Sequence, residues 1–150
     1  MKRLKYAVIL LLGLSMATMM ISCNKESNYQ NRIIGKWQMT KETFYNYDLT
    51  GALVSEDMEE FPDNENYRWE FLSDGMVRTP SWYWQKSIMS DYLIKGDSLF
   101  IKLQWWDEFE EQNTFTIQEL TNSTMEWERE YVSSYSNCKY VYRYEFKKVK

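Results

Sequence analysis

The 150-residue chain contains no histidine, five glycines, two prolines and two cysteines. Without histidine there is no Ser-His-Asp relay and no His-bearing zinc site, and two thiols are too few for an all-cysteine one. The scarcity of glycine and proline excludes a collagenous or low-complexity chain. Cations are the minority charge, 18 Lys and Arg against 22 Asp and Glu, which argues against a general nucleic-acid binder. What is abundant is aromatic: 17% of residues are Phe, Trp or Tyr, enough to exclude disorder over most of the length. The length suits one domain.

The first 22 residues read as a targeting segment, with Lys2, Arg3 and Lys5 ahead of an apolar stretch that ends at Ser22-Cys23. The arrangement resembles a bacterial lipoprotein signal, in which the cysteine becomes the lipid-bearing first residue. Met20 and Ile21 depart from that family's preference for Leu and a small residue. A permanent membrane-spanning anchor is the alternative, but the apolar run is short for a span and a polar stretch follows at once. On the lipoprotein reading, residues 1–22 are removed, Cys23 is lipidated and residues 23–32 tether the domain that occupies 33–150. Removal takes away three cations and no acid, leaving the mature chain more acidic. Cys138 is then the one free thiol, and no intramolecular disulfide can form. The lipid makes the membrane a partner; Asn24 rather than Asp after the cysteine favours the outer membrane of a cell envelope.

Beyond Ile33 the hydrophobic period is two. Met125, Trp127, Arg129 and Tyr131 alternate with Thr124, Glu126, Glu128 and Glu130, and Tyr140, Tyr142, Tyr144 and Phe146 alternate with Lys139, Val141, Arg143, Glu145 and Lys147. Half-buried strands produce this pattern. Eight strands are expected, near Ile34–Phe44, Tyr67–Leu72, Met76–Thr79, Asp91–Lys95, Ser98–Trp106, Thr114–Leu120, Thr124–Tyr131 and Lys139–Val149, with no helix. Tight turns at Ser73-Asp74-Gly75, Gly96-Asp97 and Thr121-Asn122-Ser123 alternate with long connections at Tyr45–Asn66, Pro80–Ser90, Asp107–Asn113 and Val132–Cys138. In an antiparallel meander this places every long loop at one end. The expected fold is all-β, an eight-stranded antiparallel up-and-down barrel, with a two-sheet sandwich as the alternative.

The segments Gly35-Lys36-Trp37, YRWEFLSDG (67–75), DYLIKGDSLFI (91–101), FTIQELTNSTMEW (115–127) and YVYRYEFKKV (140–149) together resemble the lipocalin-like domain of small bacterial envelope lipoproteins. That resemblance implies a barrel floor at Gly35 and Trp37, a cation of the last strand packed near Trp37, with Arg143 the nearest candidate, and a small apolar or amphipathic ligand held at the mouth.

The candidate ligand-binding residues are Trp69, Trp84, Trp105, Arg129, Tyr131 and Tyr140, at strand ends expected to face the mouth together with Phe44, Tyr45, Tyr47 and Tyr67. Arg129, the single charge on its stripe, would meet a ligand carboxylate if that stripe faces inward; its alternative is an internal partner. Lys41, on the Trp37-Met39 stripe, is a second candidate cation. Against a calyx stands simple packing, since aromatic side chains can fill an eight-stranded barrel. Trp82, Tyr83, Trp84, Trp105 and Trp106 would alternatively form an exposed platform for an envelope protein or a glycan. The acidic stretches Glu56–Glu65 and Asp107–Glu111 lack the spacing of a calcium loop, so no metal is expected. No catalytic motif, cofactor-binding motif or activated nucleophile is present, and a binding role is favoured over catalysis.

Overall fold

The computed structural model describes residues 28–80, 87–104, 110–133 and 138–150. Nine strands follow in chain order: β1 (Gly35–Tyr47), β2 (Leu53–Glu60), β3 (Arg68–Phe71), β4 (Met76–Pro80), β5 (Ser87–Lys95), β6 (Ser98–Gln104), β7 (Glu110–Leu120), β8 (Thr124–Val132) and β9 (Lys139–Val149). All pairings are antiparallel. Eight strands, β1 and β3 to β9, form a meander that closes through β1 against β9, and β2 is an additional strand beside β1. This is the all-β up-and-down barrel expected from the alternation, not a sandwich, and the β1–β9 ladder removes the two edges a meander would leave.

Two of the expected long connections are shorter, since β5 takes in Ser87–Ser90 and β7 takes in Glu110–Asn113, and two elements are additional to the sequence expectation. The stretch Tyr45–Asn66, read as a loop, contains β2 and a 3-10 turn, Glu65–Tyr67. Strand β2 escapes detection because all eight of its residues are exposed, so it carries no buried stripe. Residues 28–33 are helical, in a region expected to carry only tether and strand start. The turn is anchored by its last residue: Ile33 is fully buried, and its carbonyl accepts a hydrogen bond from Trp37 Nε1 at 2.6 Å. Six residues are too few to show a helical period.

The tight connections, at Leu72–Gly75, Gly96-Asp97 and Thr121–Ser123, lie at one end, hereafter the base. The base is densely bonded. Tyr92 Oη donates to Leu72 O at 2.9 Å, Arg32 Nη1 to Leu120 O at 3.2 Å, and Lys148 N to Ser123 O at 2.8 Å. Above it lies an aromatic core. The Trp127 ring meets Phe146 at 4.5 Å, Phe115 at 5.3 Å, Trp69 at 5.4 Å and Phe71 at 6.0 Å between centroids. Rings at these separations add offset and edge-to-face attraction to the apolar area they bury.

The strands do not stay together over their whole length. The β7–β8 ladder spans Thr116–Leu120 against Met125–Glu128, so Arg129–Val132 at the upper end of β8 pair with β9 alone. On the other side, β1 pairs with β3 only over Gly35–Gln38; above that, from Lys41 to Tyr47, its edge is taken by β2. Among the described residues two ladders therefore stop short at the same end. The base is a closed ring, and toward the upper end the pairings group the strands into two walls, β2-β1-β9-β8 and β4-β5-β6-β7.

Candidate functional site

The inner surface of the β2-β1-β9-β8 wall is set by register. Cross-strand partners share a face, so the buried pairs Met39↔Phe146 and Met125↔Phe146 fix the inward direction. Following β8 and β9 upward, Trp127↔Tyr144, Arg129↔Tyr142 and Tyr131↔Tyr140 all face inward. The stripe carrying Arg129 thus points into the barrel. Strand β1 carries a bulge between Met39 and Lys41, beyond which Glu42↔Tyr144, Phe44↔Tyr142 and Asn46↔Tyr140 face inward.

That bulge corrects two expectations. Strict alternation from Trp37 and Met39 would turn Lys41, Tyr45 and Tyr47 inward. One extra residue reverses the parity. Lys41 faces outward and pairs with Glu145 at 2.8 Å. Tyr45 and Tyr47 also face outward, with the Arg143 guanidinium 5.4 Å from the Tyr45 ring centroid. The reversal brings Glu42 inward in their place, a residue that sequence alternation excludes.

The aromatic lining is continuous. Phe44 lies 5.0 Å from Tyr142 and 5.5 Å from Tyr140, Tyr131 stacks on Tyr140 at 6.2 Å with ring planes 10° apart, and Tyr142 stacks on Tyr144 at 6.5 Å and 13°. Phe44, Tyr140, Tyr142 and Tyr144 are half-buried, while Tyr131, at the rim, is exposed. Two charges flank this lining. Arg129 stands on β8 and Glu42 on β1, with Tyr144 of β9 between them; among the described residues neither is in an ion pair. Burial holds the Tyr144 phenol well above its ordinary range, with Glu42 raising it further and Arg129 acting in the opposite sense. Burial also raises the Glu42 carboxyl, and Glu59, its cross-strand partner on β2, adds to that rise.

Trp69 belongs to the core more than to the mouth. It is half-buried against Trp127 and Phe146, and its buried Nε1 has no hydrogen-bond partner among the described residues. Of the candidate ligand-binding residues, Arg129, Tyr131 and Tyr140 come together on the inner face of the upper wall, and Trp69 lies below them. Trp84 and Trp105 lie outside the described residues, as do Trp82, Tyr83, Trp106 and Cys23 with its preceding segment. Cys138 is half-buried beside the start of β9 and is in no disulfide among the described residues.

Gly35 and Trp37 lie at the base. Trp37 is fully buried, and the cation against it is Lys148, not Arg143. Lys148 Nζ lies 5.0 Å from the Trp37 ring centroid and donates to Arg32 O at 3.0 Å. Arg143 is on the opposite face of β9, where it pairs with Glu128 at 2.6 Å and Glu126 at 3.2 Å. Lys148 continues the stripe Tyr140-Tyr142-Tyr144-Phe146, so its parity was the signal that could have found it. Gly35 adopts φ +124°, and a Cβ there would lie 2.9 Å from Lys148 Cε, so the cation sits where a side chain at 35 would project.

The chain is similar in structure to a deswapped triple mutant of bovine odorant binding protein. The likeness covers 79% of this chain and 74% of that one, at 12% sequence identity and a TM-score of 0.39. No protein-family model matches the sequence, and no curated protein matches it. Among the described residues no group of three or more Cys, Asp or Glu is placed to hold a metal ion, and no helix is long and apolar enough to cross a membrane.

Proposed function

We propose that this chain is a lipid-anchored, lipocalin-like binding protein of the cell envelope that receives a small apolar or amphipathic ligand between the two walls. The observation that carries this reading is the inner face of the upper wall. Phe44, Tyr140, Tyr142 and Tyr144 form a half-buried aromatic surface at the end where, among the described residues, the β1–β3 and β7–β8 ladders stop, whereas the base is filled. A concave apolar lining with a few polar groups is the usual composition of a small-molecule site. Arg129 supplies one such group and would bond a ligand carboxylate through its forked donors. A binding role needs no activated nucleophile.

The test is titration of the domain with matched amphiphiles, one ending in a carboxylate and the other in an alcohol, followed by intrinsic fluorescence. Tyr142→Ala is expected to weaken both by about tenfold or more, as loss of a buried aromatic contact implies. Arg129→Gln is expected to weaken only the carboxylate form. Failure of either amphiphile to bind, or binding untouched by Tyr142→Ala, removes the proposal. The anchor is tested separately: the intact mass of the membrane-extracted protein should correspond to a chain starting at an acylated Cys23.

A further inference from the structure

Strand β2 borders the site just described, with Glu59 across from Glu42. One edge pairs with β1, from Lys41↔Glu60 to Tyr47↔Leu53, and among the described residues no strand is bonded to the other edge. Every residue from Leu53 to Glu60 is exposed, including Leu53, Val54 and Met58 at 51%, 61% and 59%. An unpaired edge presents a row of amide and carbonyl groups to which another strand can add. Proteins commonly protect such edges with charged side chains, lysine above all, with proline, brevity or a mid-strand bulge. Strand β2 has no lysine or proline, runs for eight residues, and its one irregularity lies at the turn end, opposite Asn46/Tyr47, so its guard is acidic and does not repel a basic strand.

Its charge defines what fits. Glu56, Asp57, Glu59 and Glu60 give four acids and no cation in eight residues, and among the described residues none of the four is in an ion pair. They are divided between the faces. Glu56, Met58 and Glu60 lie on one side, and Ser55, Asp57 and Glu59 on the other. A second copy added β2 to β2 would set carboxylates against carboxylates, which is unfavourable for directly opposed residues. A strand with basic side chains at alternate positions would meet the acids of one face, Glu56 and Glu60 or Asp57 and Glu59, whichever side it presents.

We propose that the free edge of β2 is a docking site for an extended basic peptide segment of another protein, which adds to the sheet as a further strand. Main-chain hydrogen bonds to the edge hold the segment, and its Lys or Arg side chains select it through the acids of β2. Leu53, Val54 and Met58 provide apolar contact along the same strand. Asp57 and Glu59 lie on the inner face beside Phe44 and Glu42, but the edge bonds do not use the aromatic side chains, so Tyr142→Ala, which tests the ligand site, should leave peptide binding unchanged.

The experiment uses the full chain in mild detergent and labelled peptides of alternating Lys and Val, read by fluorescence anisotropy and by amide hydrogen exchange. The Lys-Val peptide is expected to bind and to slow exchange at β2. Its Glu-Val counterpart, and a Glu56→Gln, Asp57→Asn, Glu59→Gln, Glu60→Gln variant of the protein, should each reduce binding by on the order of tenfold through the lost cross-strand charge pairs. A further peptide, N-methylated at every residue, keeps the charge and leaves the protein untouched. It should lose binding, because it has no amide left to bond the edge. Binding unchanged by methylation, equal binding of the Glu-Val peptide, or protection confined to other strands would overturn the proposal. Self-association of the protein through β2 without peptide would overturn the choice of occupant.

Discussion

At Glu42 the orientation of a carboxylate is decided by the backbone. One extra residue in β1 turns it inward, across from Glu59 and beside Tyr144. Burial, then Glu59, raises its pKa above the ordinary 4.5. A carboxyl raised in this way binds its proton more tightly in the folded chain than in the unfolded one. Its contribution to stability is complete in acid, below 4.5, and is lost as the pH rises through the folded value. Glu42→Gln is therefore expected to raise the urea midpoint near neutrality, and the gain should vanish when the same titrations are run below pH 4.5. A variant less stable than the parent near neutrality would show that an unseen cation compensates Glu42. Arg143 is the opposite case on the outer face of the same sheet. Bonding to Glu128, ahead of its own desolvation, raises the guanidinium, so it stays charged at every accessible pH.

Among the elements, β7 and β8 carry the departure from a simple barrel. Their ladder ends at Thr116↔Glu128. In the absence of the natural thiols Cys23 and Cys138, cysteines at 116 and 128 should oxidise to a disulfide, because paired positions fall within the Cα separation a disulfide requires, about 4.4–6.8 Å. Cysteines at 114 and 130, which would oppose each other if the ladder continued, should remain reduced under the same conditions. Mass analysis after alkylation distinguishes the outcomes, and ready crosslinking of the 114/130 pair would mean that this seam closes. The parting was not legible in the sequence, because Met125-Trp127-Arg129-Tyr131 alternates without interruption whether or not β7 accompanies it. Strand positions, the base turns and the inward stripe of β9 were legible, since burial on one face leaves period two in the side chains. The bulge at Met39/Lys41 was not, because a bulge is a backbone count and Thr40 resembles any other strand residue. Neither was β2, a strand with no buried face to mark it.

For the whole molecule, stability and recognition fall at opposite ends. The base concentrates the core, with Trp37, Phe71 and Trp127 each no more than 1% exposed, while the upper walls leave their aromatics half-covered. Trp127→Ala removes the ring on which Trp69, Phe71, Phe115 and Phe146 converge and is expected to cost about 3–5 kcal/mol. Tyr142→Ala truncates a half-buried residue in a wall that is already open and should cost well under half as much. Guanidinium titration of both variants measures the contrast; equal losses would mean that the upper wall is as well packed as the base. The ladder that makes the ring whole joins Lys36 of the first strand to Val149 of the last. Contacts so distant in sequence form slowly, because the intervening chain must be confined before they repay its lost freedom. The order of synthesis thus matters: β1 emerges first and its edge toward β9 stays uncovered until the last strand has been made. Through that interval the β9-facing edge of β1 has no lasting partner, and a chain truncated before Lys139 would keep it exposed, as a target for chaperones or aggregation.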